Sequence, residues 1–192
     1  ELPDKLEHAA YAQMTDEQKK LYTANALKLQ KNLEQQNDSM FKTSKIQILA
    51  ELTKLRQLCC DPSLIYQNYH GGSAKLDTCI QLIENAMAGG HKILLFSQFT
   101  SMLDVIERRL KTERILYYRL DGSTKSEQRT RLVNAFNDNK VPVFLISLKA
   151  GGTGLNLTGA DIVIHYDPWW NAAAQNQATD RAHRIGQKHT VT

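Results

Sequence analysis

Apolar residues recur at helical spacing through the first part of the chain. Thr15 with Gln18 forms a capping-box pattern, and Tyr22, Ala26, Leu29 and Leu33 follow. This predicts a long amphipathic helix whose second half is well exposed. The polar stretch from Gln35 to Ser39 breaks the periodicity, after which Ile48, Leu49, Leu52, Leu55 and Cys59 mark a second helix, stopped by Asp61-Pro62. Gly71-Gly72-Ser73 is the best internal boundary, with Ser73 placed to cap a helix carrying Leu76, Ile80, Ile83 and Met87.

From there the pattern changes. Ile93 to Phe96 is an apolar run ending at polar Ser97-Gln98, and a helix through Met102, Val105, Ile106 and Leu110 follows. The alternation continues with a strand over 115–120, a helix through Leu132, Val133 and Phe136, and an apolar strand over 141–146 broken only by Pro142. A last strand covers 161–165. Short apolar strands alternating with helices predict an α/β fold, a parallel sheet with helices on both faces, preceded by a helical segment. The expected division is 1–72 for the helices and 73–192 for the sheet domain, with ligands at the carboxyl ends of the strands. No internal repeat or low-complexity tract is present. The opening Leu2-Pro3-Asp4 reads as a connector continuing from something upstream.

Composition changes this picture little. The chain has 192 residues, 42% of them hydrophobic, enough for one core plus a helical appendage. No apolar run approaches the roughly 18 residues that a membrane span needs, and the opening Glu1-Leu2-Pro3-Asp4-Lys5 lacks the basic and apolar blocks of a signal peptide. A cytoplasmic location, nucleoid-associated in a bacterium, is expected, with no membrane partner. Cys59, Cys60 and Cys79 are odd in number and suggest reduced thiols. The net charge of +4 permits an anionic partner without requiring one. Six scattered histidines and no cysteine cluster imply no metal site.

Two segments carry candidate chemistry. In Gln177-Ala178-Thr179-Asp180-Arg181-Ala182-His183-Arg184-Ile185-Gly186-Gln187, the positions Gln177, Asp180, Arg181 and Arg184 fall on one face if the segment is helical. Two guanidiniums one turn apart can clamp a phosphoryl group; the bland alternative is a solvated charged face. Ser147-Leu148-Lys149-Ala150-Gly151-Gly152-Thr153-Gly154-Leu155-Asn156 is a glycine-rich loop directly after a strand, able to bring backbone N–H groups close to phosphates, or simply to turn. Its spacing does not fit a dinucleotide fingerprint.

These two segments, in this order, resemble motifs V and VI of superfamily 2 helicases of the SWI/SNF type. Leu55 to Pro62, Leu94 to Phe99, Leu120 to Thr124 with Arg129, and Asp167-Pro168-Trp169-Trp170-Asn171 resemble further family blocks in the expected order. Ala172 departs from the family's frequent proline. The resemblance implies a C-terminal RecA-like lobe of a DNA-translocating ATPase, half of a motor. The nucleotide would lie between this lobe and a missing N-terminal RecA-like lobe, ATP with Mg2+ being bound only in the complete two-lobed protein.

By the same resemblance Arg181 and Arg184 would serve as arginine fingers with Gln177 beside them, and Gly154, Asn156 and Asp180 would approach the nucleotide. Ser97, Gln98, Ser123, Thr124, Lys149, Gly151 and Gly152 would face the phosphates of double-stranded DNA without reading its sequence. Ser123 and Thr124 are equally explained as helix caps, and Arg129 as a brace within the lobe. Trp169 and Trp170 suit packing or a lobe interface. No Gly-x-x-x-x-Gly-Lys-Ser/Thr segment occurs, and the one Asp-Glu pair, Asp16-Glu17, sits at a helix start. The chain alone is therefore expected not to hydrolyse ATP. The competing reading is a nucleic-acid-binding scaffold that kept the fold without the motor.

Overall fold

The computed structural model describes residues 2–35, 41–150, 154–168 and 171–192. Packing divides the chain into two units, Tyr11–Thr78 and a second made of Glu1–Ala10 with Cys79–Thr192. The division falls inside a helix, and the opening residues belong with the sheet unit, whereas the sequence expectation grouped them with the helices.

In the first unit, α1 (Asp16–Glu34) and α2 (Phe41–Cys60) are followed by a single 3-10 turn, Pro62–Leu64. Thr15 caps α1 by accepting the Gln18 N–H at 3.2 Å, which is one half of the capping box; the Gln18 side chain turns into the packing and does not return to Thr15 N. The seam of α1 is more polar than its apolar spacing suggests, because Gln18, Asn25 and Leu29 are its buried residues and Leu33 is exposed. Gln18 donates to Leu58 O at 2.9 Å and Asn25 to the Tyr66 hydroxyl at 2.9 Å, so both amide nitrogens are satisfied, while the buried Gln18 Oε1 has no partner among the described residues. Asp61 accepts the Ser63 N–H at 2.8 Å and starts the 3-10 turn. Ser73 accepts the Leu76 N–H at 3.2 Å, capping α3 (Ala74–Ala88), and donates to Cys60 O at 2.7 Å.

The second unit holds β1 (Ile93–Ser97), α4 (Thr100–Thr112), β2 (Tyr117–Leu120), α5 (Ser126–Asp138), β3 (Val143–Ser147), β4 (Ile162–His165) and α6 (Ala172–Thr179). The four strands form one parallel sheet in the order β2-β3-β1-β4, with Ser97 in register with Ser147 and Phe96 with His165. β1 and β3 are buried on both faces, as centrally placed strands must be. Leu94, Phe96, Phe144 and Ile146 pack with Phe136 of α5, Leu157, Ala160, Ala178 and Ala182 in one core. The alternate residues Ile93, Leu95, Val143 and Leu145 point to the other face and are equally buried. β3 starts at Val143, after Pro142, whose carbonyl still accepts the Ile93 N–H at 2.7 Å. Beside β4, Thr192 O accepts from Val163 N at 2.8 Å, and the Lys5–Val191 bridge adds the opening segment in parallel. Among the described residues no helix is long and apolar enough to cross a membrane.

Candidate functional site

Parallel pairing delivers Ser97, Leu120, Ser147 and His165 to one edge of the sheet, so the segments that follow β1, β2 and β3 start side by side. After β1, Ser97 is fully buried. Its hydroxyl accepts the Phe99 N–H at 3.1 Å and donates to Phe99 O at 3.3 Å. Ser97 therefore shapes the loop and is not presented at the surface of the lobe. The Gln98 N–H donates to both oxygens of the buried Asp167 carboxylate, at 3.2 and 3.1 Å.

After β2, Asp121 organises a tight loop. It accepts from Ser123 N at 2.9 Å, from Ser123 Oγ at 2.6 Å and from Arg119 Nε at 3.1 Å, while its own N–H donates to Thr124 Oγ1 at 3.0 Å. The Ser123 hydrogen bond above all, with help from Arg119, holds the Asp121 carboxyl below its ordinary range against the opposing effect of burial. Neither Ser123 nor Thr124 caps α5, whose N-cap is Lys125 without a side-chain bond. Arg129 donates to Thr124 O at 2.8 Å, Asp121 O at 3.3 Å and Ala150 O at 3.4 Å, so it is a brace between two loops. Ser123 remains exposed and Thr124 half-buried.

After β3, Lys149 is exposed. Gly151, Gly152, Trp169 and Trp170 lie outside the described residues. The loop resumes at Gly154, exposed, and passes exposed Asn156, whose carbonyl accepts from Asn137 Nδ2 of α5 at 2.9 Å. Asn137 Oδ1 accepts the Gly159 N–H at 3.0 Å, and a Cβ on Gly159 would stand 2.9 Å from that same oxygen. Only glycine allows this approach without displacing α5.

The arginine segment differs from its expected form. α6 ends at Thr179, so Gln177 lies on the helix, Asp180 is its C-cap, and Arg181 and Arg184 lie in the turns beyond. Beyond Thr179 the backbone tightens, with Arg181 N donating to Ala178 O at 3.2 Å and Ala182 N to Thr179 O at 3.0 Å. The turns that follow are held from outside: Leu157 N donates to Arg181 O at 2.9 Å, and Gln187 Nε2 donates to Ala182 O at 3.1 Å. Gly186, at φ 105°, then takes a backbone conformation that other residues rarely adopt.

The two arginines are unlike each other. Arg181 is 5% exposed and its Nε has no hydrogen-bond partner, whereas Arg184 is exposed and reaches only Leu155 O at 3.4 Å. Burial first, and then the charge of Arg184, push the Arg181 guanidinium down from its ordinary value, with Asp180 opposing. Among the described residues neither arginine forms a salt bridge. Two guanidiniums without a salt bridge, one desolvated and one exposed with Gln177 and Asp180 also exposed, are suited to an incoming anion such as a phosphoryl group. Among the described residues no cluster of acids or histidines is arranged to hold a metal ion.

Asp167, Asn137 and Gln187 are the residues whose roles were missed. Asp167 and Gln187 stand inside segments singled out by sequence, but burial of a polar side chain has no local signal. Asn137 stands in none of them.

Residues 74–186 match the family described as the helicase conserved C-terminal domain. The chain is 40% identical over 195 residues to a Mycoplasma pneumoniae protein called an uncharacterized ATP-dependent helicase, covering 100% of this chain and 18% of the relative. It thus spans less than a fifth of that relative's length. Among solved structures it is similar to the Sulfolobus solfataricus SWI2/SNF2 ATPase C-terminal domain, at 33% identity and a TM-score of 0.80, covering 90% of this chain and 76% of that one. The Sulfolobus solfataricus SWI2/SNF2 ATPase core in complex with dsDNA matches at 33% identity and a TM-score of 0.83, over 98% of this chain and 40% of that one.

Proposed function

The chain belongs to the helicase conserved C-terminal domain family, in its SWI/SNF-type branch, and from that premise we propose that it is the second RecA-like lobe of an ATP-driven translocase on double-stranded DNA. The sheet domain, 73–192 in our reading, would close on a nucleotide held by a first lobe, and the helical segment 1–72 would join the two. The observation that carries the proposal is the arginine turn: exposed Arg184 beside buried, incompletely bonded Arg181.

ATP, bound with Mg2+ by the first lobe, supplies the phosphoanhydride to be cleaved. Arg184 offers a planar fork of N–H donors to the charge that develops on the transferred phosphoryl group. Arg181 adds a second positive charge from a desolvated position, where it is less screened than in water. Neither acts as base or nucleophile. Gln177 and Asp180 orient this pair, and Gly154 and Asn156 approach the rest of the nucleotide. Without a phosphate-cradling loop the chain alone holds ATP weakly and does not turn it over.

DNA is gripped by exposed Lys149 and Ser123 and by half-buried Thr124 and Gln98 at the carboxyl edge, and by Gly151 and Gly152, which follow Lys149 closely in the sequence. Such contacts go to phosphates, so binding is independent of sequence and sensitive to salt. The dsDNA complex of the Sulfolobus core supports a duplex partner. The test is charge removal at Arg181 or Arg184 in the two-lobed protein: hydrolysis is expected to be abolished with DNA affinity retained, and undiminished turnover in either variant would sink the finger assignment.

A further inference from the structure

Gln187 is buried, and its side-chain amide is saturated. Nε2 donates to Ala160 O at 2.7 Å and Ala182 O at 3.1 Å, while Oε1 accepts from the N–H groups of Lys188 at 2.8 Å and His189 at 2.9 Å. A primary amide has two donor hydrogens and two acceptor lone pairs, so no capacity is left over and no rotation of the group is neutral.

The four bonds join different parts of the site. The donors fasten the end of the glycine loop, at Ala160, to the arginine turn, at Ala182. The acceptors fix the chain as it leaves that turn. A second tie runs from Leu157 N to Arg181 O at 2.9 Å, and Asn137 of α5 holds the same loop through Asn156 O and Gly159 N. The backbone of the arginine turn thus rests on a frame that begins in α5 and passes through 154–160. A guanidinium stands several bonds from its Cα, so a small rotation of the turn becomes a large displacement of its N–H fork.

We infer that Gln187 is a positioning residue for the arginine pair, setting the angle at which Arg181 and Arg184 leave the turn. The inference rests on the reading of that pair as acting on a phosphoryl group. Misplacing a reacting group by about 1 Å lowers a rate by roughly 10²-fold without requiring weaker binding. Loss of Gln187 therefore falls on kcat and leaves KM for ATP and DNA affinity in place.

The test uses Gln187→Glu in the two-lobed protein, which keeps the shape but leaves at least one of the carbonyls of Ala160 and Ala182 without its donor. Leu110→Ala, at a buried position of α4 outside the core that holds Leu157, Ala160 and Ala182, serves as the destabilised control, and Arg184→Gln runs in parallel, each melting temperature being measured. The expected result is a kcat for ATP lowered about 10- to 100-fold in Gln187→Glu, with KM and DNA affinity near parental values and little change in Leu110→Ala per folded molecule. A kcat within about twofold of the parent, or a loss no greater than that of Leu110→Ala, overturns the inference. If Gln187→Glu does not fold, Gln187→Asn carries the test, since it keeps the amide but shifts it by one methylene; the same kcat-only loss supports the inference and a parental kcat overturns it. Arg184→Gln separates the two failures. Parental turnover there defeats the underlying reading, whereas a dead Arg184→Gln beside an active Gln187→Glu defeats only the positioning role.

Discussion

The loop after β2 and the turn after α6 both carry residues singled out by motif, yet they spend their polar groups in opposite ways. In the first, Asp121, Ser123, Thr124, Arg119 and Arg129 bond to one another and to nearby carbonyls, so the loop is braced by its own side chains. In the second, the bracing is done by backbone groups and Gln187, and the charged heads are left over. A side chain that closes its own loop meets a ligand from a fixed position, as proposed for Ser123 and Thr124 on DNA, whereas the arginine heads keep most of their donors for an incoming anion. Membership of a motif does not draw this distinction.

The sharpest way to break the first loop is Asp121→Ala, which removes the acceptor shared by Ser123 N, Ser123 Oγ and Arg119 Nε and leaves Arg119 its bonds to Asp104 and Glu107. The loss of charged hydrogen bonds at this buried position is expected to destabilise the lobe by about 2 kcal/mol, a fall of roughly 4–8 °C in melting temperature for a chain of this size. Differential scanning calorimetry measures it, and an unchanged melting point would show that the loop does not depend on Asp121.

Lys149→Ala is a smaller change, at an exposed position outside both braces. It is expected to leave melting unaltered and to weaken DNA binding evenly across sequences. The slope of log affinity against log salt should fall by about 1, as titrations over a range of salt would reveal.

The smallest expected effect concerns His165, which stacks on Phe96 and meets Thr179 Oγ1 at 2.9 Å, under the start of the arginine turn. Burial first, and then the charge of Lys5, hold this imidazole below its ordinary 6.5, with Glu7 opposing. The unfolded chain then takes up a proton at a higher pH than the folded lobe does. Its contribution to stability is whole above pH 6.5 and declines as the pH falls toward the folded value, by at most about 1.4 kcal/mol per pH unit. Unfolding at pH 7.5 and 5.5 should show this decline, reduced in His165→Gln; an equal decline in the variant would assign it to other groups.

Local chemistry explains what was legible in the sequence. Caps at Thr15 and Ser73 act within three residues, and the alternation of apolar strands with helices marks a parallel sheet wherever the strands pair. The hidden parts depend on distant partners. The α1 seam uses Gln18 and Asn25 because Leu58 O and Tyr66 lie about forty residues away to receive them. The expected single helix bearing all four motif residues stops at Thr179, and the turns beyond it are held by Leu157, far back in the chain, whose N–H takes the Arg181 carbonyl. Ser97 has the residue type of a phosphate contact, and its burial follows from lying at the end of a central strand.

ATP turnover by Arg184→Gln in the two-lobed protein, at saturating ATP and DNA and per folded molecule, tests the central claim most directly. Arg184 is exposed and holds only one long bond, so its replacement should leave melting temperature and DNA affinity unchanged while turnover falls by about 10³-fold or more. Turnover equal to the parent's would contradict the account, for it would make the arginine turn a charged surface and not a working part.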